Sequence, residues 1–275
     1  AIRAQETMDT LLLDNKTNVI KYPTRSINFT DMFNFYCIHK YLQGTKLYTR
    51  CEIFKYNVEF YDYIPDSYLM EIIDKFVLAV EKASNIIIST HSFPDADGIG
   101  SQISLCLALR KLGKNSFCSN DEDLLERYKY LDPMNTVFSV DTLHTEFSGK
   151  PDLVIVVDTN TIERTGKKFK AYYEQFNCDI LFIDHHPCAQ ETQDDHCIDT
   201  KASATGQLVG ELITGIGLEF DEYMALPLYT AILIDTSSFR YPTVTAATHE
   251  MIARLMATGI QPPRAYNGCL LYTSD

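Results

Sequence analysis

At 275 residues the chain has room for one large domain, or for a medium domain and a small one. Hydrophobic residues make up 45% and charged residues 22%, an ordinary globular balance, and no apolar run approaches the roughly 20 residues of a membrane-spanning helix. A net charge of −13 argues against a long nucleic-acid partner, because tracking phosphates needs clustered Lys and Arg.

An acidic enzyme handles phosphate where bound metal ions reverse the local field. The eight cysteines form no Cys-x-x-Cys pair and no zinc spacing, so reduced thiols and a cytoplasmic location are expected. The chain opens on Ala-Ile-Arg with nothing like a signal peptide, and the native start is expected to lie upstream.

In chain order, residues 47–61 are rich in aromatic and β-branched residues with partial alternation, which predicts strands. Pro65-Asp66 breaks that pattern. Residues 1–65 are therefore read as a small β-rich module, possessing its own boundary near 65. Leu69, Ile72, Ile73, Phe76 and Val80 then share one helical face, with Asp66 or Ser67 as N-cap. From Asn85 short apolar runs alternate with helical stretches. Strands are predicted at 86–90, 116–119, 153–157 and 180–183. Helices are predicted at 98–112, closed by Gly113, and at 121–131, 167–176, 205–214, 221–234 and 245–257. This alternation predicts a doubly wound α/β domain over 66–268, with a mainly parallel sheet and helices on both faces. Residues 269–275, Cys-Leu-Leu-Tyr-Thr-Ser-Asp, read as a non-native tail.

Four places combine acidic residues with His or Arg. His91-Ser-Phe-Pro-Asp95-Ala-Asp97-Gly-Ile-Gly-Ser101 follows the first predicted strand, Asp158 the third, and Asp184-His185-His186 the fourth. Asp235-Thr-Ser-Ser-Phe-Arg240 follows a long apolar helix. In a parallel sheet the first three meet on one rim, where ligands of such sheets collect. Neutral imidazoles and carboxylates suit Mn²⁺ and similar ions, and two such ions clamp the attacking and leaving oxygens of a phosphoryl displacement. Gly98 and Gly100 would let backbone approach closely, and the helix starting there would aim N–H groups at a phosphate. Taken singly, an Asp at a strand end is a turn residue or a cap, and Arg240 is a helix C-terminal charge. His39, His144, His196 and His249 lie outside the clusters and take ordinary surface or packing roles.

These four motifs, in this order, resemble the DHH phosphoesterase family, over about residues 70–265. The resemblance implies a metal-dependent hydrolase, with two Mn²⁺ ions (Mg²⁺ or Co²⁺ as alternatives). It implies that His91 and Asp95 hold one ion, that Asp97, His185 and Asp235 hold the other, and that Asp158 bridges them. It further implies that His186 faces the substrate phosphate, that Asp184 orients an imidazole, and that Arg240, Ser101 and Arg164 contact substrate. The spacing looks most like the branch that hydrolyses short oligoribonucleotides and 3′-phosphoadenosine 5′-phosphate. A cyclic-dinucleotide phosphodiesterase and a catalytically retired nucleotide sensor are the alternatives. A small nucleotide or short oligonucleotide is the expected partner, with no membrane and a homodimer as the assembly. The family's glycine-rich DHH-associated domain, which normally follows, is expected to be missing from these residues.

Overall fold

The structure, a computed structural model, describes residues 67–269, and the backbone alone of residues 12–14 and 19–21. The chain divides into two compact units, Ala1–Pro65 and Asp66–Asp275. In the first, β1 (Leu12–Asp14) pairs antiparallel with β2 (Val19–Lys21), Leu13 opposite Ile20. The strands expected at 47–61, an N-cap at Asp66 and most of the C-terminal tail lie outside the described residues.

The second unit opens with α1 (Ser67–Lys82), which buries Leu69, Ile72, Ile73, Phe76 and Val80 as their spacing predicts. Then follow β3 (Asn85–Ser89), α2 (Ala96–Lys111), β4 (Asn115–Asn120), β5 (Val137–Ser139) and β6 (Leu153–Val157). The chain continues through α3 (Lys167–Tyr173), β7 (Asp179–Asp184), α4 (Gln190–Asp195) and β8 (Cys197–Ile198). It closes on α5 (Thr205–Gly215), α6 (Glu222–Asp235), α7 (Ala246–Met256) and α8 (Pro262–Cys269).

Six strands form one parallel sheet in the order β5-β4-β3-β6-β7-β8. The chain order reverses between β3 and β6, and the crevice beyond the carboxyl ends of that pair is where doubly wound sheets bind ligands. Every residue of β6 is buried, as expected of a central parallel strand covered on both faces. On one face Ile87, Val154, Val156 and Phe182 pack with Phe147 and Phe169. Helices α2 and α5 lie against β3, β4, β6 and β7.

The expected helix over 121–131 is only half present: a 3-10 turn covers Glu126–Leu131. Asp121 is drawn elsewhere, its Oδ1 accepting the N–H groups of Lys168 (2.6 Å) and Phe169 (3.0 Å). It thereby serves the amino end of α3, whose own N-cap, Gly166, has no side chain to do so. The helix predicted from Gly98 begins at Ala96, because Asp95 caps it through Oδ1 to Asp97 N and Gly98 N.

Helix α6 is buried on all sides from Met224 to Leu233, so it is a core helix rather than an amphipathic cover. It lies hard against α2. A Cβ at Gly100 would sit 2.3 Å from Pro227 O and 3.1 Å from Ala231 Cβ. This contact fixes the spacing of two helices whose ends carry Asp97 and Asp235. We therefore expect Gly100→Ala to destabilise the protein by about 1–3 kcal/mol, despite roughly 1 kcal/mol of gained helix propensity. Urea unfolding measures this, and an unshifted midpoint would show that the two helices can part without penalty.

Candidate metal centre and active site

Beyond β3 the chain turns at His91, whose Nδ1 lies 2.9 Å from Ser92 O. In the neutral ring that bond calls for the proton on Nδ1 and leaves Nε2 as a lone pair. The lone pair stands 3.4 Å from Asp158 Oδ2. Asp158 follows β6 with φ of +60°, a left-handed conformation that Asp adopts more readily than most residues. Its N–H donates to Ile183 O (2.9 Å), and its Oδ1 accepts Thr205 Oγ1 (3.1 Å), which locks the carboxylate in place. Gly98 must be glycine here, since a Cβ would lie 2.3 Å from Thr90 Oγ1 and 3.4 Å from Asp158 Oδ2.

His185, after β7, repeats the arrangement. Its Nδ1 is 3.3 Å from Ala202 O. Its Nε2 is buried without a hydrogen-bond partner, 3.4 Å from Asp235 Oδ2 and 3.9 Å from Asp97 Oδ2. Asp97 is fully buried and receives the first N–H groups of α5, Thr205 N on Oδ2 and Gly206 N on Oδ1, both at 2.8 Å.

With both rings neutral, then, an acceptor faces an acceptor in two places. A proton between them would draw the pair to about 2.7–2.9 Å, well inside the separations seen. Two ligand atoms each about 2.1 Å from a shared cation stand roughly 3.0–3.4 Å apart, the spacing of the His91–Asp158 and His185–Asp235 pairs, while the His185–Asp97 pair is wider at 3.9 Å. Three sets of donor atoms lie within 4.8 Å of one another: His91 with Asp95 and Asp158, Asp97 with His185 and Asp235, and Asp158 with His185 and His186. Asp158 and His185 each belong to two sets, so the sets adjoin. Burial, then the charges of Asp158, Asp235 and Asp95, push the Asp97 carboxyl well above its ordinary range. Burial also raises that of Asp235, against the pull of His185. A cation relieves both, and a donor set of carboxylate and imidazole without thiolate fits Mn²⁺ or Mg²⁺.

His186 stands at the open side of the cluster, with its side chain 44% exposed. Its Nδ1 is 2.8 Å from Asp184 Oδ1, and this bond, outweighing burial, raises its pKa. Asp184 is fully buried; Oδ1 also accepts His185 N (2.9 Å) and Oδ2 accepts Asn160 Nδ2 (2.8 Å). The carboxylate is thus held by three donors, and it orients the imidazole.

The six residues expected as ligands come together. Three other expectations change in detail. Ser101 is fully buried and turns its hydroxyl to Asp97 Oδ1 (3.4 Å), so it supports that carboxylate and a substrate cannot reach it. Arg240 is engaged locally, Nε donating to Ser237 O (2.7 Å) and a terminal nitrogen to Ser237 Oγ (2.9 Å). Arg164 has an exposed side chain, and its carbonyl accepts Ser92 N (2.6 Å), bracing the His91 loop. The first N–H groups of α2 are also not free for phosphate, since Asp95 takes them.

Thr205, Gly206 and Asn160 were not singled out by their chemistry, being donors to ligands rather than ligands. A signal existed for the first two. Helix α5 opens on Ala204, which has no side-chain cap, so its first N–H groups had to find an acceptor elsewhere.

The profile of the DHH family, N-terminal domain, matches residues 85–260. The chain belongs to the DHH family. Among curated relatives, the bifunctional oligoribonuclease and PAP phosphatase NrnA of Thermus thermophilus is 30% identical over 197 residues, 70% of this chain and 55% of that protein. The cyclic-di-AMP phosphodiesterase GdpP of Bacillus subtilis is 28% identical over 182 residues, 60% of this chain and 26% of that protein. The chain thus spans only about half the length of NrnA. An exopolyphosphatase-related protein from Bacteroides fragilis has the same fold, with a TM-score of 0.67 at 23% identity over 75% of this chain and 62% of that one.

Replacing Thr205 by Val keeps the backbone bond to Asp97 and removes the hydroxyl that holds Asp158. We expect Mn²⁺ affinity, measured by titration calorimetry, to fall about 10–100-fold. An affinity equal to that of the unaltered chain would mean that the hydroxyl does not set the carboxylate's orientation.

Proposed function

We propose that this DHH-family chain is the metal-binding catalytic part of a phosphoesterase that hydrolyses short oligonucleotides or small nucleotides, such as 3′-phosphoadenosine 5′-phosphate. The observation that carries this is the pair of imidazoles whose free Nε2 lone pairs confront carboxylate oxygens, an arrangement that calls for a cation in each place. His91 and Asp95 would hold one ion, Asp97, His185 and Asp235 the other, and Asp158 both; Mn²⁺ is the ion we assign. A bound pair of divalent ions polarises a phosphoryl oxygen and lowers the pKa of water to the point where hydroxide is available at neutral pH.

The remaining work falls to the chain's own groups. His186, held by Asp184, is positioned to donate to a phosphate oxygen or to the leaving oxygen. Asn160 and His185 N keep Asp184 from rotating. Thr205, Gly206 and Ser101 do the same for Asp97 and Asp158, so the donor set is preorganised. Arg164 and Arg240 are the proposed phosphate contacts on the exposed side, and Arg240 must release Ser237 to serve. Similarity to GdpP supports cyclic-dinucleotide hydrolysis as the second reading.

The chain should be incubated with and without Mn²⁺ on RNA of two to five nucleotides, on 3′-phosphoadenosine 5′-phosphate and on cyclic di-AMP. We expect strictly metal-dependent turnover of the linear substrates; faster turnover of cyclic di-AMP would favour the second reading, and binding without turnover a sensor. Asp158→Ala should abolish turnover and reduce bound Mn²⁺. His186→Gln should lower kcat by about 10²–10⁴ with Mn²⁺ binding retained. Turnover at the unaltered rate in Asp158→Ala would refute the assignment.

A further inference from the structure

Phe93 is 91% exposed, and it makes no ring contact among the described residues. It sits between His91 and Asp95, two residues from each, so its backbone lies within about 7 Å of both. Its φ is +54°, a left-handed conformation that is a genuine outlier for a bulky residue, made harder by the Pro94 that follows. The loop is held in this shape from both ends. Ser92 N donates to Arg164 O at 2.6 Å, and Asp95 is fixed as the cap of α2. Backbone strain of this kind collects at ligand clamps.

We propose that Phe93 is a stacking platform for a nucleobase, and so the residue that makes the site select nucleotides over other phosphate esters. This rests on the phosphoesterase reading, which puts the scissile phosphate at the adjoining His91–Asp95–Asp158 set. A base is one sugar away from that phosphate, and Phe93 is an exposed aromatic ring whose backbone lies two residues from both His91 and Asp95. Stacking of this kind is indifferent to base identity, because every base presents a π-face. The preference would be for any nucleotide over a bare sugar phosphate.

The test uses calorimetric titration of the full chain, loaded with Mn²⁺, against adenosine 5′-monophosphate and ribose 5-phosphate. The unaltered chain should bind the nucleotide more tightly. Phe93→Ala should weaken nucleotide binding about 5–100-fold while leaving ribose 5-phosphate and Mn²⁺ affinities within twofold. Phe93→Trp should restore it. Leu78→Ala, which removes another exposed apolar side chain, on α1, should change none of these. Equal losses for both ligands, a loss below twofold, no preference in the unaltered chain, or no detectable nucleotide binding would each overturn the proposal. Failure of the underlying reading shows separately, as Mn²⁺ binding that is absent or unaffected by Asp158→Ala.

Discussion

Four aspartates, at 95, 97, 158 and 235, are brought together, and at Asp97 and Asp235 burial and the neighbouring carboxylates oppose the charge; the rest of this domain is arranged around that conflict. Isolated carboxylates in such a place would take up protons. Here the chain works partly in the other direction. Two backbone N–H groups and a hydroxyl are committed to Asp97, two N–H groups to Asp95, and a threonine hydroxyl to Asp158. These bonds favour ionised oxygens without neutralising them. As neutral rings the two imidazoles do not neutralise them either, since each then has its proton turned to a backbone carbonyl. On the metal-centre reading proposed above, cations from outside would resolve the conflict, and ion binding would then be coupled to the stability of this end of the sheet.

Topology is what makes the gathering possible. Because β3 and β6 are adjacent and parallel, with Ser89 beside Val156, residues shortly beyond their ends emerge next to each other. β7 pairs on the other side of β6 and delivers Asp184, His185 and His186 one strand away. The sheet alone supplies neither Asp97 nor Asp235. Those come from the start of α2 and the last residue of α6, and their separation depends on how closely the two helices pack at Gly100. A third helix, α5, then points its amino end at Asp97.

Much of this was legible in the sequence, for physical reasons. Strands β3, β6 and β7 are built on continuous apolar runs with an acidic or imidazole residue at or shortly after their ends, and a buried parallel strand can hardly be other than apolar. Two strands, β5 and β8, were not foreseen. With three and two residues they are too short to carry a period, and β8 is fixed as a strand by its neighbour rather than by its own residues. Helix α4 buries nothing and so shows no apolar stripe. The over-long helix at 121–131 failed because Asp121 is used by a helix 47 residues later, which no local pattern records. The site divides in the same way. Groups with distinctive chemistry, His and Asp, could be picked out; the donors that position them, Thr205, Gly206 and Asn160, look like any other polar residues until the fold places them.

The charge balance suggests why His186 lies where it does. On the two-ion reading, four carboxylates and two divalent cations leave the filled cluster formally neutral, with nothing over for the charge of a phosphate ester. In a chain of net charge −13 the surroundings add no general attraction. Whatever meets the phosphate must therefore be local and positive or a proton donor. Asp184 bonds His186 and supports it in that role, while being itself buried and held by three donors. Arg240 is tied to its own turn through Ser237 and Arg164 has an exposed side chain, which leaves the imidazole as the group that the fold itself holds ready at the cluster's open side.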